Sequence, residues 1–224
     1  MNENLKWAKT PGNYDSLNLA LIYPSNNKYG IPNVPRIELE GFKPPKDLIA
    51  YGNKNKGSDN ALHFFEDDYK FEPVWNRPIK TLDKVKKYEM VLSPDFSLFT
   101  NYPRVIQIWN IYRNRWCDCY WSEKGIKVIP TVTWGDEESF DFCFLGIPKH
   151  SVVAISGMGS KKKSTKEAYK LGFIEMLKVL EPKALIIYGG LNSELEEYIN
   201  IPTFRYKTYW EKRAEETKKA LPLH

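Results

Sequence analysis

The chain has 224 residues, of which 42% are hydrophobic and 14% aromatic, enough for the buried core of one large domain. This composition excludes an intrinsically disordered protein, because disordered chains are poor in aromatic and branched apolar residues. The 33 basic and 28 acidic side chains give a net charge of +5, too small an excess to indicate nucleic-acid binding by itself.

Cysteine usage and the lack of long apolar runs predict the compartment. Three cysteines are an odd number in a chain too large to need disulfides, so we expect reduced thiols at Cys117, Cys119 and Cys143. The opening residues, MNENLKWAKT, lack the apolar stretch of a signal peptide. No run reaches the roughly 18 apolar residues that a membrane span needs. We therefore expect a soluble cytoplasmic protein without membrane contact.

The first part of the chain, residues 1–46, is predicted to be an irregular arm. Turn-forming Asn, Pro and Gly are frequent there, as in YPSNNKYGIPNVP at 23–35 and GFKPP at 41–45. A short strand is expected within the arm at Arg36–Glu40. Residues 47–224 are predicted to form a single α/β domain.

Short apolar runs alternate with helical segments after the arm. Two helices are clearest, at Pro103–Ser122 and at about Ser164–Leu180, because apolar side chains recur there every three or four residues. The predicted strands are Asp47–Tyr51, Ala61–Phe65, Tyr88–Leu92, Lys127–Thr131, Val152–Ser156, Ala184–Tyr188 and Thr203–Tyr206.

Short apolar strands that are followed by helices indicate parallel pairing, with the helices on the outside. Two architectures satisfy this pattern, a barrel-like form and an open doubly wound sheet. Polar residues after nearly every strand favour the barrel-like form. Both architectures bind ligands at the carboxyl ends of their strands, so the residues that follow each strand are the candidates for a site.

Four aspartates that follow strands are the candidate catalytic residues. Asp67 and Asp68 follow the second predicted strand, Asp95 follows the third, and Asp136 follows the fourth. Carboxylates on a common rim could divide acid and base roles or hold a divalent cation, with Mg²⁺ as the candidate cofactor. Each aspartate also has an alternative interpretation as a helix cap or a solvated acidic turn.

A glycine- and lysine-rich segment, GMGSKKKST at 157–165, is the candidate phosphate site. It lies between a predicted strand and a helix, where free backbone N–H groups, a helix N-terminus and positive charge favour anions. Gly157, Gly159 and Lys161 are its candidate ligand-binding residues. The segment lacks the spacing of a Walker A loop or a dinucleotide fingerprint, and a basic surface loop is the alternative.

Three larger side chains are further ligand-binding candidates. Trp134, beside a turn glycine, could form a stacking wall. Arg113 and Arg115 lie on the long helix, two residues apart, so both cannot face one site. One of these arginines could instead pair with a carboxylate.

Several ordered blocks of the sequence carry a family resemblance. They are HFFEDDYKFE at 63–72, WN at 75–76, SPDFS at 93–97, YRNR at 112–115, GIKVIPT at 125–131 and FCFLGIP at 142–148. Together they resemble a family of phage and mobile-element proteins, the domain of unknown function 4417 family, over about residues 45–190. The resemblance implies a phage, prophage or plasmid origin, and hence action in a host cell. It supplies no catalytic residues.

The sequence leaves two functions open. In the first, the protein binds or processes a nucleotide or a nucleic-acid phosphate at an acidic strand-end site. In the second, it is a non-catalytic interaction protein that binds a host or replication partner. The arm and the charged tail Trp210–Lys219 would then supply the contact surface. Whether the protein is an enzyme, and its oligomeric state, do not follow from the sequence.

Overall fold

Parallel strands alternate with helices along the chain, which the computed structural model describes over residues 10–53 and 59–220. The strands are β1 (Leu48–Ala50), β2 (Ala61–His63), β3 (Met90–Leu92), β4 (Lys127–Ile129), β5 (Val152–Ser156), β6 (Ala184–Tyr188) and β7 (Thr203–Tyr206). The helices are α1 (Asp68–Phe71), α2 (Pro73–Asn76), α3 (Pro78–Val85), α4 (Arg104–Glu123), α5 (Phe140–Cys143), α6 (Lys166–Leu180), α7 (Ser193–Glu196) and α8 (Tyr209–Ala220). A 3₁₀ turn spans Glu137–Ser139. The predicted class, mainly parallel strands alternating with helices, is confirmed.

The strands are hydrogen-bonded in chain order. β1 to β4 form one parallel sheet, and β5 to β7 form a second. An isolated parallel bridge between Thr131 and Ala154 joins the end of β4 to β5, so one sheet continues into the next. Because all strands run in the same direction, their carboxyl ends lie on one side of the protein.

Alternate side chains of each strand divide between an interior core and an outer layer. In β5, Val152 and Ala154 belong to an interior cluster that takes side chains from both sheets. Val153 and Ile155 instead pack in an outer cluster with α6. A core enclosed by strands on several sides is the barrel-like feature of the fold.

The two edge strands, β1 and β7, make no strand-to-strand pairing with each other in the described ranges, so the sheet is open there. Side-chain contacts link them instead. The Tyr206 hydroxyl donates to the Pro45 carbonyl at 2.6 Å. Lys212 of α8 forms an ion pair with Asp47 at 2.6 Å. These contacts draw α8 over the opening between the edge strands.

The N-terminal arm lies against the domain without regular secondary structure from residue 10 to residue 47. Trp116 Nε1 donates to the Leu21 carbonyl at 2.8 Å, and the Val34 N–H donates to the Gly146 carbonyl at 2.8 Å. Gly146 has φ +79°, and a side chain there would overlap the Pro32 carbonyl oxygen. The arm therefore docks where the absence of a Cβ lets two backbone segments approach.

The strand predicted at Arg36–Glu40 is wrong, because this segment has no ladder partner. Ile37 instead bonds to the segment before β5, with its N–H donating to Ser151 Oγ and its carbonyl accepting from the Val152 N–H.

The two predicted helices are confirmed, as α4 and α6, with ends that differ by one or two residues. The predicted division into an arm, 1–46, and one domain, 47–224, stays a prediction, and its outermost residues, 1–9 and 221–224, lie outside the described ranges.

The buried guanidinium of Arg115 ties α4 to the loops around it. It donates to three backbone carbonyls, those of Thr131 (3.1 Å), Cys143 (3.2 Å) and Leu145 (3.2 Å). It also lies 3.9 Å from the Asp118 carboxylate, which is buried as well. A buried cation is tolerated here because its donors are used by fixed acceptors.

Replacing Arg115 by methionine, which keeps much of the volume but none of the donors, should therefore lower the free energy of unfolding by about 3 kcal/mol or more. Arg205→Met is the matched control, because Arg205 pairs with Glu196 on the surface and such pairs contribute about 1 kcal/mol or less. Urea unfolding of both variants checks this. Equal losses in the two variants would show that the buried guanidinium is not a main anchor.

Candidate functional site

A cavity of about 750 Å³ opens at the carboxyl ends of the strands. Its lining comes from segments that follow β2, β3, β5 and β7, together with the ends of β1 and β6. The position is the one that the parallel architecture predicts for a ligand site. A cavity of this size is large enough for a small organic ligand.

Aromatic rings form the inner wall of the cavity. Phe65 and Tyr188 line it and stack on each other, with ring centroids 5.3 Å apart and planes 15° apart. The buried His63 ring lies 4.3 Å from Tyr188, and its Nδ1 accepts a hydrogen bond from the Phe65 N–H. Burial, followed by the charge of Lys212, lowers the pKa of His63 to about 3. His63 is therefore neutral at physiological pH, and its uncharged ring packs against the wall.

Asp95 is the most perturbed carboxyl group that lines this cavity. Its Oδ1 is buried and accepts no hydrogen bond within the described residues. Burial and the negative charge of Asp68 raise the pKa of Asp95 to about 7, against the opposing effects of a hydrogen bond from Thr133 and the charge of Arg115. Near neutral pH, Asp95 can therefore either donate or accept a proton, which is the property of a general acid or base.

Asp68 is fixed beside Asp95 by the same loop. Its two carboxylate oxygens accept hydrogen bonds from the Ser97 N–H (3.1 Å) and the Ser97 hydroxyl (2.8 Å). Asp67, at the rim, forms an ion pair with Lys70 at 3.2 Å. Asp67, Asp68 and Asp95 therefore line one cavity although they come from two different strand ends.

Three buried polar side chains of α4 hold the loop that carries Asp95. The Asn110 amide donates to the Ser97 carbonyl at 2.7 Å, and Asn114 Oδ1 accepts from the Phe96 N–H at 3.2 Å. The Ser93 hydroxyl donates to Asp118 at 2.7 Å. Burial raises the pKa of Asp118 to about 7. The sequence analysis missed this stripe, although the recurrence of polar residues at every fourth position of the helix was the signal for it.

The fourth candidate aspartate, Asp136, lies outside the cavity. Its carboxylate caps the 3₁₀ turn by accepting from the Ser139 N–H at 3.2 Å, and it pairs with Arg104 at 3.2 Å. This corrects the expectation that Asp136 shares a rim with the other three. The physical reason is the local capping of the turn that it precedes, the alternative that the sequence had left open.

The two candidate arginines are also used away from the cavity. Arg113 pairs with Glu72 at 2.6 Å, donates to Asn110, and lies 3.7 Å from the centroid of the Phe96 ring. The Arg115 guanidinium donates its hydrogen bonds to the three backbone carbonyls described above. Both guanidinium groups hold loops in place and neither lines this cavity, so their role as ligand-binding residues stays a prediction.

The glycine- and lysine-rich loop lies beside the cavity, to which it contributes Met158. Gly157 packs on Gly190, since a Cβ at Gly157 would lie 2.9 Å from the Gly190 carbonyl oxygen. The Ser160 hydroxyl is already used inside the loop, donating to the Gly157 carbonyl at 2.7 Å. Lys161 lies near Gly190. Lys162 and Lys163 are exposed and carry the positive charge that the loop presents to solvent.

Two remaining candidates have packing roles. A side chain at Gly159 would lie 3.2 Å from the Tyr169 ring. Trp134 packs on the same ring, with centroids 5.0 Å apart, and covers Gly172 of α6. Trp134 therefore does not form a wall of the cavity.

A search over the described residues finds no group of three His, Cys, Asp or Glu side chains that could hold a metal ion. The same part of the chain contains no helix of the length and apolar character needed to cross a membrane. Cys117, Cys119 and Cys143 are free and buried, as the odd cysteine count led us to expect.

Comparison with known proteins places the chain in a family. Residues 23–206 match the family model described as domain of unknown function (DUF4417). The chain belongs to the DUF4417 family. It is 42% identical over 214 residues to the Gene 1 protein of Mycobacterium phage L5, covering 92% of this chain and 91% of the relative. It is 38% identical over 217 residues to the Gene 1 protein of Mycobacterium phage D29, covering 96% and 80%.

The family resemblance expected from the sequence blocks is thus confirmed, and the relatives are phage proteins. No solved structure matches the chain. The DUF4417 match contains all seven strands and the aspartates of the cavity, and it ends before Tyr209 and Trp210, which also line the cavity. Tyr209 and Trp210 follow β7. The sequence analysis did not name them as site candidates, although their position after a predicted strand was the available signal.

The raised pKa of Asp95 makes the free energy of unfolding depend on pH. The folded state keeps the Asp95 proton up to about pH 7, whereas the unfolded chain loses it near the ordinary value of 3.8. The folded state therefore loses stability as pH rises between these values. We expect Asp95→Asn to become more stable relative to the unchanged protein as pH is raised from about 5 to about 8.

Urea unfolding of both proteins at the two pH values measures this difference. Asp118 titrates in the same range but is present in both proteins, so its contribution cancels. A stability difference that stays constant between the two pH values would show that Asp95 is not buried as an acid.

Proposed function

We propose that the protein binds a nucleotide in the carboxyl-end cavity, with the base inside. The observation that carries this proposal is the buried Oδ1 of Asp95, which accepts no hydrogen bond within the described residues, in a cavity walled by aromatic rings. Burying a carboxyl oxygen that accepts no hydrogen bond is costly, and such a cost is typical of a group kept for a ligand. A nucleotide base fits both features, because its planar ring can stack on the aromatic wall and its N–H groups can donate hydrogen bonds to Asp95.

The lining chemistry favours a base over a phosphate inside the cavity. Glu66, Asp67, Asp68 and Asp95 line it with a single cation, Lys70, among the described lining residues. This negative charge repels phosphate, whereas carboxyl oxygens accept hydrogen bonds from the exocyclic amino groups of bases. Aromatic side chains stack on bases of any sequence.

The phosphate would then face outward, toward the lysine-rich loop. Met158 brings this loop to the edge of the cavity, and the exposed Lys162 and Lys163 have no ion-pair partner within the described residues. Mg²⁺ remains part of the proposal, because this ion is commonly held by one or two carboxylates together with ligand phosphates. Asp67 and Asp68, which line the cavity, would be the carboxylates that hold it.

Calorimetric titration with the nucleoside monophosphates, with Mg²⁺ and then with a chelator in its place, tests this function. We expect Asp95→Ala to weaken binding by about tenfold or more, because a hydrogen bond to a charged group contributes about 1.5 to 3 kcal/mol. Asp136→Ala is the matched control, because Asp136 lies outside the cavity. Binding that both substitutions leave unchanged, or no binding at all, would refute the proposal.

A second candidate function, a non-catalytic interaction protein, is favoured by a groove on another face. The groove, of about 790 Å³, runs between the N-terminal arm and the α2–α3 region, and its lining is mostly apolar. Ile79 lines it and is 79% exposed, which is unusual for a large apolar side chain. Tyr14 closes one end by donating to the Asn76 carbonyl.

For this second function, Ile79→Asp should abolish the stoichiometric capture of a host or replication protein from host-cell extract. Asp95→Ala should leave that capture intact, because Asp95 lies in the other cavity. Capture that survives Ile79→Asp would remove the groove from consideration as the contact surface.

A further inference from the structure

We propose that the ligand of the carboxyl-end cavity is single-stranded nucleic acid, with one base inside and its neighbours stacked on the rim. This inference rests on the proposed function and adds the class of ligand. It comes from the side chains around the mouth of the cavity, which are not part of the case for a base inside it.

Large apolar side chains are exposed around the mouth, where solvent contact is unfavourable. Tyr69 and Trp210 are each 74% exposed. Phe99 and Tyr209 are more than half exposed. All four line the cavity together with Tyr102. A concentration of exposed rings at the edge of a polar cavity is typical of a surface that is covered when a ligand binds.

The rings are spread too widely for one nucleotide. Tyr69 follows β2, Phe99 and Tyr102 follow β3, and Tyr209 and Trp210 follow β7. β2 and β3 belong to one sheet and β7 to the other, so the rings form separate stacking places around the mouth, and one base does not cover all of them. Several consecutive bases can do so.

Four of the five rings are held in edge-to-face pairs. Phe99 and Tyr102 meet edge to face with centroids 5.2 Å apart, and Tyr209 and Trp210 do the same at 5.3 Å. An edge-to-face neighbour fixes the direction of a ring without covering both of its faces. Rings fixed in this way lose little entropy when a base stacks on them.

Charge beside the mouth, on the lysine-rich loop, fits a phosphate backbone that passes outside the acidic cavity. Lys162 and Lys163 are exposed on the loop that contributes Met158 to the cavity. A duplex does not fit this arrangement, because its bases are stacked on each other and cannot enter the cavity or meet the rings.

Fluorescence anisotropy with a labelled single-stranded DNA of about ten nucleotides tests the inference. We expect this strand to bind more tightly than a nucleoside monophosphate and more tightly than its duplex. Trp210→Ala and Tyr69→Ala should each weaken binding of the strand about tenfold, as expected for the loss of one stacked base. Ile79→Ala, an equally exposed apolar residue outside the cavity, is the control and should have no effect.

Salt provides a second readout. The double substitution of Lys162 and Lys163 by alanine should reduce the dependence of the binding constant on salt concentration, since each phosphate contact to a single strand contributes a slope of about −0.7. An unchanged slope would contradict the assignment of these lysines to the backbone.

The outcomes separate this inference from the proposed function. If a monophosphate binds through Asp95 but the strand binds no more tightly, the inference fails and the proposed function stands. If neither binds, both fail. If the strand binds and the ring substitutions have no effect, the rim is not a stacking surface. Tighter binding of a lysine-rich peptide than of the strand would assign the acidic mouth to a protein partner and overturn the inference.

Discussion

The shape of the cavity depends on a set of buried polar contacts between α4 and the strand ends. Asn110, Asn114 and Asp118 recur every fourth residue and hold the loop after β3, while Arg115 holds the loops after β4 and α5. Buried polar contacts of this kind are directional, so they fix a loop in one conformation where apolar packing would allow several. Asp95 lies within the loop that is held in this way, and its position is set by α4 more than by its own contacts.

The same arrangement explains why the site carries an energetic cost. The loop places Asp95 next to Asp68 in a partly enclosed space, so burial and like charge together favour the protonated form. The exposed rings at the mouth are a second unfavourable feature in the absence of a ligand. Residues that are retained against stability are commonly kept for function. Both features occur at the carboxyl ends of parallel strands, where the fold places ligand sites.

The sequence predicts the fold better than the site, for physical reasons. The strand Ala184–Tyr188 and the helix ending at Leu180 follow from local apolar periodicity, which tertiary packing did not override. Convergence of the Asp67–Asp68 segment with Asp95 followed from parallel topology. Only one of these two adjacent aspartates was expected to face the site, because neighbouring side chains at a strand end point different ways, but both line the cavity. Asp136 departs from this pattern because a capping hydrogen bond with its own turn, a local effect, determines where its carboxylate lies. Exposure of Tyr69 and Trp210 could not be predicted, because the burial of an aromatic side chain next to a strand end depends on tertiary packing, which the local sequence does not encode.

A crystal structure of the protein with a bound nucleoside monophosphate would test the central claim most directly. We predict density for the base against the Phe65 and Tyr188 wall, with a base nitrogen within about 3 Å of the Asp95 carboxyl group and the phosphate toward the loop that contains Lys162. A nucleotide bound elsewhere, with the cavity still open and Asp95 without a ligand contact, would contradict the account.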